Sequence, residues 1–443
     1  MLLNIAGDVD VRLAAPLEVV MSIASQSASS SASTRAPLPF ASRADSLVGS
    51  VIDSSVAMLA AYDHDIVKFG MGSPAPDMLP AEDFARIANS VFTPESFTYG
   101  ETQGEPVLID ALLNYLQETD RIPAEHFGNR ERLVITTGGM QGIDLGFKLF
   151  VSPGDLVLCE APTYTNGSAT ALSYEAEIAE VPVDDEGMQV EALDDIVARA
   201  GRAPSVIYTV PTFQNPAGVT MSLARRHKLL EFAHRHNSVI LEDNPYGTLR
   251  FSGEDIPSLS QLSPNDPLIF GVRTFSKFVA PGLRIGWLDI DPELRGLIIN
   301  AKQTMDSCTS LPTQHMVAKW LNDGNAETHV AHLRSSYGER KNAMTSGLER
   351  LFGPEIRSTD PDGGFFLWVT FNDDTINTED LMPLALEEGV AYIPGTAFSQ
   401  TGDFTNALRL CFASAEPQRI EEGLQRLRRA VDKYSSARSH ARH

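Results

Sequence analysis

The run Thr274-Phe275-Ser276-Lys277-Phe278-Val279-Ala280-Pro281-Gly282-Leu283-Arg284-Ile285-Gly286-Trp287 joins one amine, two hydroxyls and one guanidinium within eleven residues. An amine can form a Schiff base with an aldehyde cofactor, and hydroxyls beside an arginine can hold that cofactor's phosphate. Lysine near serine is common on protein surfaces. Here the flanks are apolar and glycine-rich, which favours a lysine held in a site over a solvated charge. The cofactor that this combination requires is pyridoxal 5'-phosphate.

Outward from this run the chain reads as alternating strand and helix. Leu133-Val134-Ile135-Thr136-Thr137, Leu156-Val157-Leu158-Cys159, Val206-Ile207-Tyr208-Thr209-Val210, Val239-Ile240-Leu241-Glu242-Asp243 and Leu268-Ile269-Phe270-Gly271-Val272 are short apolar runs. Continuous apolar strands separated by helical stretches predict burial on both faces. The fold class expected is α/β, a three-layer, mostly parallel sheet. A smaller α+β unit should draw on the N- and C-terminal segments, with strands at Gly363–Val369 and Leu408–Ala413 and a closing helix over 416–434. The expected division is a serine-rich tail (1–36), an N-terminal arm and part of the small domain (37–86), a large cofactor domain (87–308), a small domain (309–434) and a loose tail (435–443). The tail is too polar to offset its ordering entropy.

Composition narrows the function. The 443-residue chain carries a formal charge of −23, which repels phosphate backbones and argues against a nucleic-acid partner. Cys159, Cys308 and Cys411 are widely spaced and odd in number, which suits neither a disulfide framework nor a zinc site and indicates a reducing, cytoplasmic setting. No apolar run approaches the ~20 residues needed to cross a bilayer, and no metal is expected.

Ligands of parallel sheets bind off the carboxyl ends of the strands, where the polar residues of this chain gather. Lys277 would bind the aldehyde and shuttle a proton, which needs a depressed pKa. Asp243 would pair with the pyridine nitrogen, although a helix cap or turn is the plainer role for an aspartate there. Asn215 and Tyr246 would donate to the ring oxygen, and Tyr164 would lie against the ring face. Lys277, Asp243 and Tyr164 make up the expected catalytic set. The turn at Gly138 opens a helix whose first N–H groups, at Gly139, Met140 and Gln141, would face the phosphate with Thr274, Ser276 and Arg284. This is neither a dinucleotide fingerprint nor a P-loop. Arg409 interrupts the apolar strand Leu408-Arg409-Leu410-Cys411-Phe412, where a charge is costly unless it meets an anion. A substrate carboxylate is the partner expected; a salt bridge or an edge-strand position is the alternative.

Taken in order, Tyr99-Gly100 with Gly104, Gly138–Gln141, Pro162-Thr163-Tyr164, Asn215-Pro216-Ala217-Gly218, Asp243-Asn244-Pro245-Tyr246, Ser276-Lys277 through Arg284, and Arg409 resemble the fold-type I class I/II aminotransferases over residues 65–430. The branch resembled is that of the 2-aminoadipate and kynurenine-type enzymes, and also the effector domain of some bacterial regulators. The resemblance implies amino-group transfer from an α-amino acid to a 2-oxo acid and a homodimer with shared active sites. It implies that Tyr99 reaches the neighbouring subunit's phosphate and that Gly72 lies near the substrate carboxylate. Where relatives carry an arginine in the N-terminal segment, this chain has Asp53, which would disfavour an acidic side chain; Arg43 could serve instead. The same groups would also support oxidation, cyclisation or β/γ-replacement on the same scaffold. A regulator would need a basic winged-helix domain, which a serine-rich, non-basic segment does not supply.

Overall fold

The structure, a computed structural model, describes residues 39–47, 49 and 62–441. The readings made on residues 1–36 and on Asp53 lie outside the described residues.

Eight strands form the main sheet: β2 (Leu133–Thr136), β3 (Leu156–Ala161), β4 (Glu177–Asp184), β5 (Gly187–Met188), β6 (Val206–Thr209), β7 (Val239–Asp243), β8 (Ile269–Thr274) and β9 (Gly286–Ile290). Their spatial order is β2-β9-β8-β7-β6-β3-β4-β5. β8, β7, β6, β3 and β4 pair in parallel, and β9 runs antiparallel between β8 and β2. Reversal at β9 followed by reversal at β2 leaves β2 pointing the same way as β8. Five of the strand ends named from the sequence therefore share one edge of the sheet. Apolar side chains split by alternation: Val206, Tyr208, Leu241 and Phe270 meet α1 (Gly139–Phe150) on one face. Ile207, Ile240 and Ile269 meet α2 (Leu223–His236) on the other. Gly142 and Gly146 let α1 approach closely, since a Cβ on Gly146 would stand 2.6 Å from Leu241 Cδ1. That closeness brings the N-terminus of α1 to the edge of the sheet.

A smaller sheet orders β10 (Ile356–Ser358), β11 (Phe366–Phe371), β14 (Ala407–Cys411) and β13 (Ile393–Pro394). β14 is central: Arg409 pairs with Trp368 on one side and Ile393 on the other. The edge-strand alternative for Arg409 is thus excluded. β1 (Val67–Lys68) pairs in parallel with β12 (Val390–Ala391), and Cys411 N donates to Phe69 O, which ties the segment after residue 62 to the C-terminal sheet. The last helix, α3 (Pro417–Ala441), overturns the loose tail expected from Ser435 onward. Tyr434 Oη accepts from Asn377 N, and the Arg438 guanidinium stands 5.4 Å from the Tyr434 ring and donates to Thr375 O, so the final turns have partners to hold them.

Gly423 of α3 lies on Phe69 and Val67 of the β1 segment, where a Cβ would sit 2.5 Å and 2.7 Å from Phe69 Cζ and Val67 Cγ1. Alanine in a helix interior ordinarily gains up to ~1 kcal/mol over glycine. Here overpacking wins: Gly423→Ala is expected to lower stability by about 1–3 kcal/mol in urea denaturation, not raise it.

Candidate active site

One corner of the sheet edge is built from the ends of β2 and β8, the start of β9 and the N-terminus of α1. Thr136 closes β2 opposite Gly286, which also faces Thr274 of β8. Gly138 has φ 77°, a backbone few side chains tolerate, and a Cβ there would collide with the Arg284 guanidinium. Gly286 is equally confined, since its Cβ would stand 2.7 Å from Arg273 O and 2.9 Å from the carbonyl carbon of Gly138. Arg284 itself takes φ 54° and bends back to donate to Pro281 O at 3.0 Å. Thr274 Oγ1 donates to Ser276 Oγ (2.8 Å) and accepts from Ser276 N (3.1 Å). Two hydroxyls, a guanidinium and the first N–H groups of α1 thus surround a space kept open by glycine.

Lys277 is half-buried, and its Nζ donates to Gly72 O at 2.8 Å and lies 6.0 Å from the Phe365 ring centroid. Burial pushes its pKa down to about 8, with Arg409 and Arg284 acting in the same direction. Asp243 ends β7, buried, and accepts from Tyr208 Oη at 2.9 Å. Burial raises its carboxyl to about 6, while the Tyr208 hydrogen bond, Arg273 and Lys277 restrain the rise. The cap reading fails for Asp243, whose neighbour Asn244 holds the turn instead by accepting from Gly247 N at 3.0 Å. Tyr246 packs on Phe365 and Phe366, with ring centroids 5.3 Å and 5.9 Å away.

Arg409 is fully buried. It donates through Nη1 to Asn215 Oδ1 (2.9 Å) and through Nη2 to Gly70 O (2.7 Å), between the rings of Phe366 (4.2 Å) and Phe398 (5.0 Å). Its Nε finds no acceptor, and no carboxylate pairs with it among the described residues. Desolvation lowers its pKa to about 10, so it remains cationic at neutral pH. The salt-bridge alternative is therefore not realised.

The structure places several of the expected residues in contact, in separate pairs: Arg409 with Asn215, Lys277 with Gly72, Tyr164 with Met140 (Oη to Sδ, 3.6 Å) and, beside them, Gly138 with Arg284. The side chain of Gln141 is engaged elsewhere, accepting from Thr137 N and donating to Asp306 Oδ2, so only its backbone N–H faces the corner. Tyr99 is 89% exposed and lies apart. Arg43 sits near Tyr174, one residue beyond the C-terminal end of the helix Thr165–Ser173, whereas Tyr164 caps its start; Ser42 Oγ holds this arm by donating to Glu175. Tyr208, Glu160 and Gln214 escaped the sequence reading. The available signal was that each is polar and lies at the carboxyl end of an apolar strand or just past it.

Residues 65–427 match the family described as aminotransferase class I and II, and the chain belongs to it. It is a fold-type I, pyridoxal-phosphate-dependent amino-acid aminotransferase. It is 36% identical over 373 residues to aromatic-amino-acid aminotransferase 1 of Thermococcus litoralis, covering 83% of this chain and 88% of that one. The crystal structure of the Pyrococcus horikoshii kynurenine aminotransferase with PMP superposes with TM-score 0.82 at 34% identity, covering 89% and 97% of the two chains. LysN, the α-aminoadipate aminotransferase of Thermus thermophilus with N-(5'-phosphopyridoxyl)-L-leucine, gives 0.80 at 30%, covering 90% and 98%.

The raised carboxyl of Asp243 has a measurable consequence. Its folded pKa exceeds its unfolded value, so its ionisation costs stability as pH rises from about 4 through 6. In cofactor-free protein, the stability of Asp243→Asn relative to wild type should therefore grow by roughly 2–3 kcal/mol between pH 4 and pH 7. Urea titration at a series of pH values checks this.

Proposed function

We propose that Lys277, Asp243 and Tyr164 serve the reacting centre, with Arg409 as the substrate-carboxylate clamp. One observation supports this reading most: the Arg409 guanidinium and the Lys277 amine grip the same short segment. Arg409 holds Gly70 O and Lys277 holds Gly72 O, so the carboxylate clamp and the proton-shuttling amine rest on carbonyls two residues apart.

The residues present fit pyridoxal phosphate. Gly139, Met140, Gln141, Thr274, Ser276 and Arg284 would hold its phosphate, at a corner where a Cβ at position 138 would displace the Arg284 guanidinium. Asp243 would hold the ring nitrogen, Asn215 and Tyr246 the ring oxygen, and Tyr164 the ring face. When bound, the cofactor supplies an electron sink that stabilises negative charge at the substrate Cα.

The chain supplies the rest. Tyr208 donates to Asp243 and favours its anionic form, which keeps a proton on the pyridine nitrogen. Arg409 and Gly72 orient the substrate so that its Cα–H faces Lys277 Nζ, and proximity makes the proton transfer intramolecular. A pKa near 8 leaves a useful fraction of neutral amine to take that proton. Asn215 spends Oδ1 on Arg409 and keeps Nδ2 as a donor, so it links the carboxylate clamp to the cofactor. Aromatic amino acids head the donor panel, because similar proteins carry aromatic substrates in their names.

Phe92, Phe97 and Tyr99 expose three rings within eight residues, with Met305 also exposed. A patch of this kind suits a second copy of the chain, and in the proposed homodimer Tyr99 would reach the partner's phosphate. The three cysteines are unpaired, which supports a cytoplasmic setting.

The absorbance spectrum tests the central reading. A visible band should bleach with amino donors, and borohydride should fix the cofactor on Lys277. Lys277→Ala should lose roughly 10⁴-fold or more in turnover. Arg409→Leu should lower kcat/KM by about 100-fold or more, chiefly through KM. For the shared site, mixing inactive Lys277→Ala with impaired Tyr99→Ala subunits should restore activity that neither has alone; no recovery at any ratio refutes sharing.

A further inference from the structure

Glu160 is buried, and no cationic side chain pairs with it among the described residues. Three donors converge on its carboxylate: Thr209 Oγ1 (2.6 Å), Val210 N (3.2 Å) and Gln214 Nε2 (3.0 Å). Burial raises its pKa to about 6, with the charge of Asp243 adding to the rise. An isolated buried carboxylate costs several kcal/mol unless its hydrogen bonds repay the desolvation, so its retention calls for a reason.

The reason lies in what Gln214 does next. Its Nε2 also donates to Pro162 O (2.7 Å), and its Oε1 accepts from Ala217 N (2.7 Å). Its own backbone closes the turn, with N–H to Val219 O (2.8 Å) and C=O accepting from Gly218 N (2.6 Å). One glutamine thus fastens the 214–218 turn to the strand end that carries Tyr164, and Glu160 fixes which way round its amide points. Val210 N and Gln214 Nε2 meet at the same carboxylate oxygen, Oε2, so an acceptor must stand there, whereas Thr209 at Oε1 is a hydroxyl that can donate or accept. Asn215 sits inside this turn with its Oδ1 committed to Arg409.

We propose that Glu160 is a positioning residue: through Gln214 it fixes the Asn215 turn so that one amide serves both Arg409 and the cofactor ring oxygen. The proposal rests on the role given above to Asn215. If Glu160 is altered, Gln214 rotates, the turn shifts, and Asn215 loses one of its two partners.

The test uses the full-length enzyme loaded with pyridoxal phosphate. Glu160→Leu removes the acceptor at a similar volume; Gln214→Met breaks the same link without touching the buried charge, and serves if Glu160→Leu does not fold. For each, KM for the amino donor should rise between about 10- and 100-fold, the worth of one hydrogen bond to a charged group, while kcat changes far less. The pH midpoint of the visible band should also rise, by about one unit, because a lost donor destabilises the anionic ring oxygen. A variant that merely melts earlier, with wild-type KM and midpoint while folded, overturns the proposal. A wild-type protein with no visible band sinks the cofactor-site reading itself, and this inference with it.

Discussion

A guanidinium sealed from water between two phenylalanine rings, with no carboxylate paired to it among the described residues, sets the terms for the rest of this protein. Such a charge is tolerated only if its surroundings are rigid and an anion completes it. Arg409 is placed on the central strand of the smaller sheet, where both neighbouring strands fix its backbone. Its fork is aimed by Gly70 O and Asn215 Oδ1, two acceptors from opposite parts of the molecule. The smaller sheet thereby meets the turn beyond β6 of the larger sheet at a point where charge, not area, decides the geometry.

The larger sheet solves the complementary problem. Buried strands end in polar residues at one edge, and the reversal at β9 lets Gly286 stand between Thr136 and Thr274. Gly138 and Gly286 stand where a Cβ would strike the Arg284 guanidinium or the neighbouring backbone. The two carboxylates of the site, Asp243 and Glu160, are both raised by burial and both held by neutral donors, Tyr208 for the first and Thr209, Val210 and Gln214 for the second. Neutral donors stabilise the anion without neutralising it. That leaves the negative charge of Asp243 available to a cationic ring.

Much of this was legible in the chain. Apolar runs marked the five strands correctly, because burial on both faces leaves no room for polar residues and makes the pattern unambiguous. Lys277, Asp243, Asn215 and Arg409 stood out because a polar residue in or just beyond an apolar strand needs a reason. The last helix was cut short because Ser435-Ser436-Ala437-Arg438 carries no apolar stripe; its support comes from Thr375 and Asn377, sixty residues away. The expectation for Gln141 concerns its backbone N–H; its side chain answers to Asp306, a contact across 165 residues that spacing alone does not encode.

The sequence by itself determined the class of fold, the amine, the acid, the guanidinium and the glycine turns, because local pattern and residue chemistry specify these directly. Only the tertiary structure decided which of them touch. It put Arg409 against Asn215 and Gly70, gave Asp243 to Tyr208, and recruited Glu160, from a neighbouring strand, to hold the turn that Gln214 opens. Hydrogen bonds between strand ends depend on which strands lie side by side, and that order follows from packing the whole chain rather than from any stretch of it.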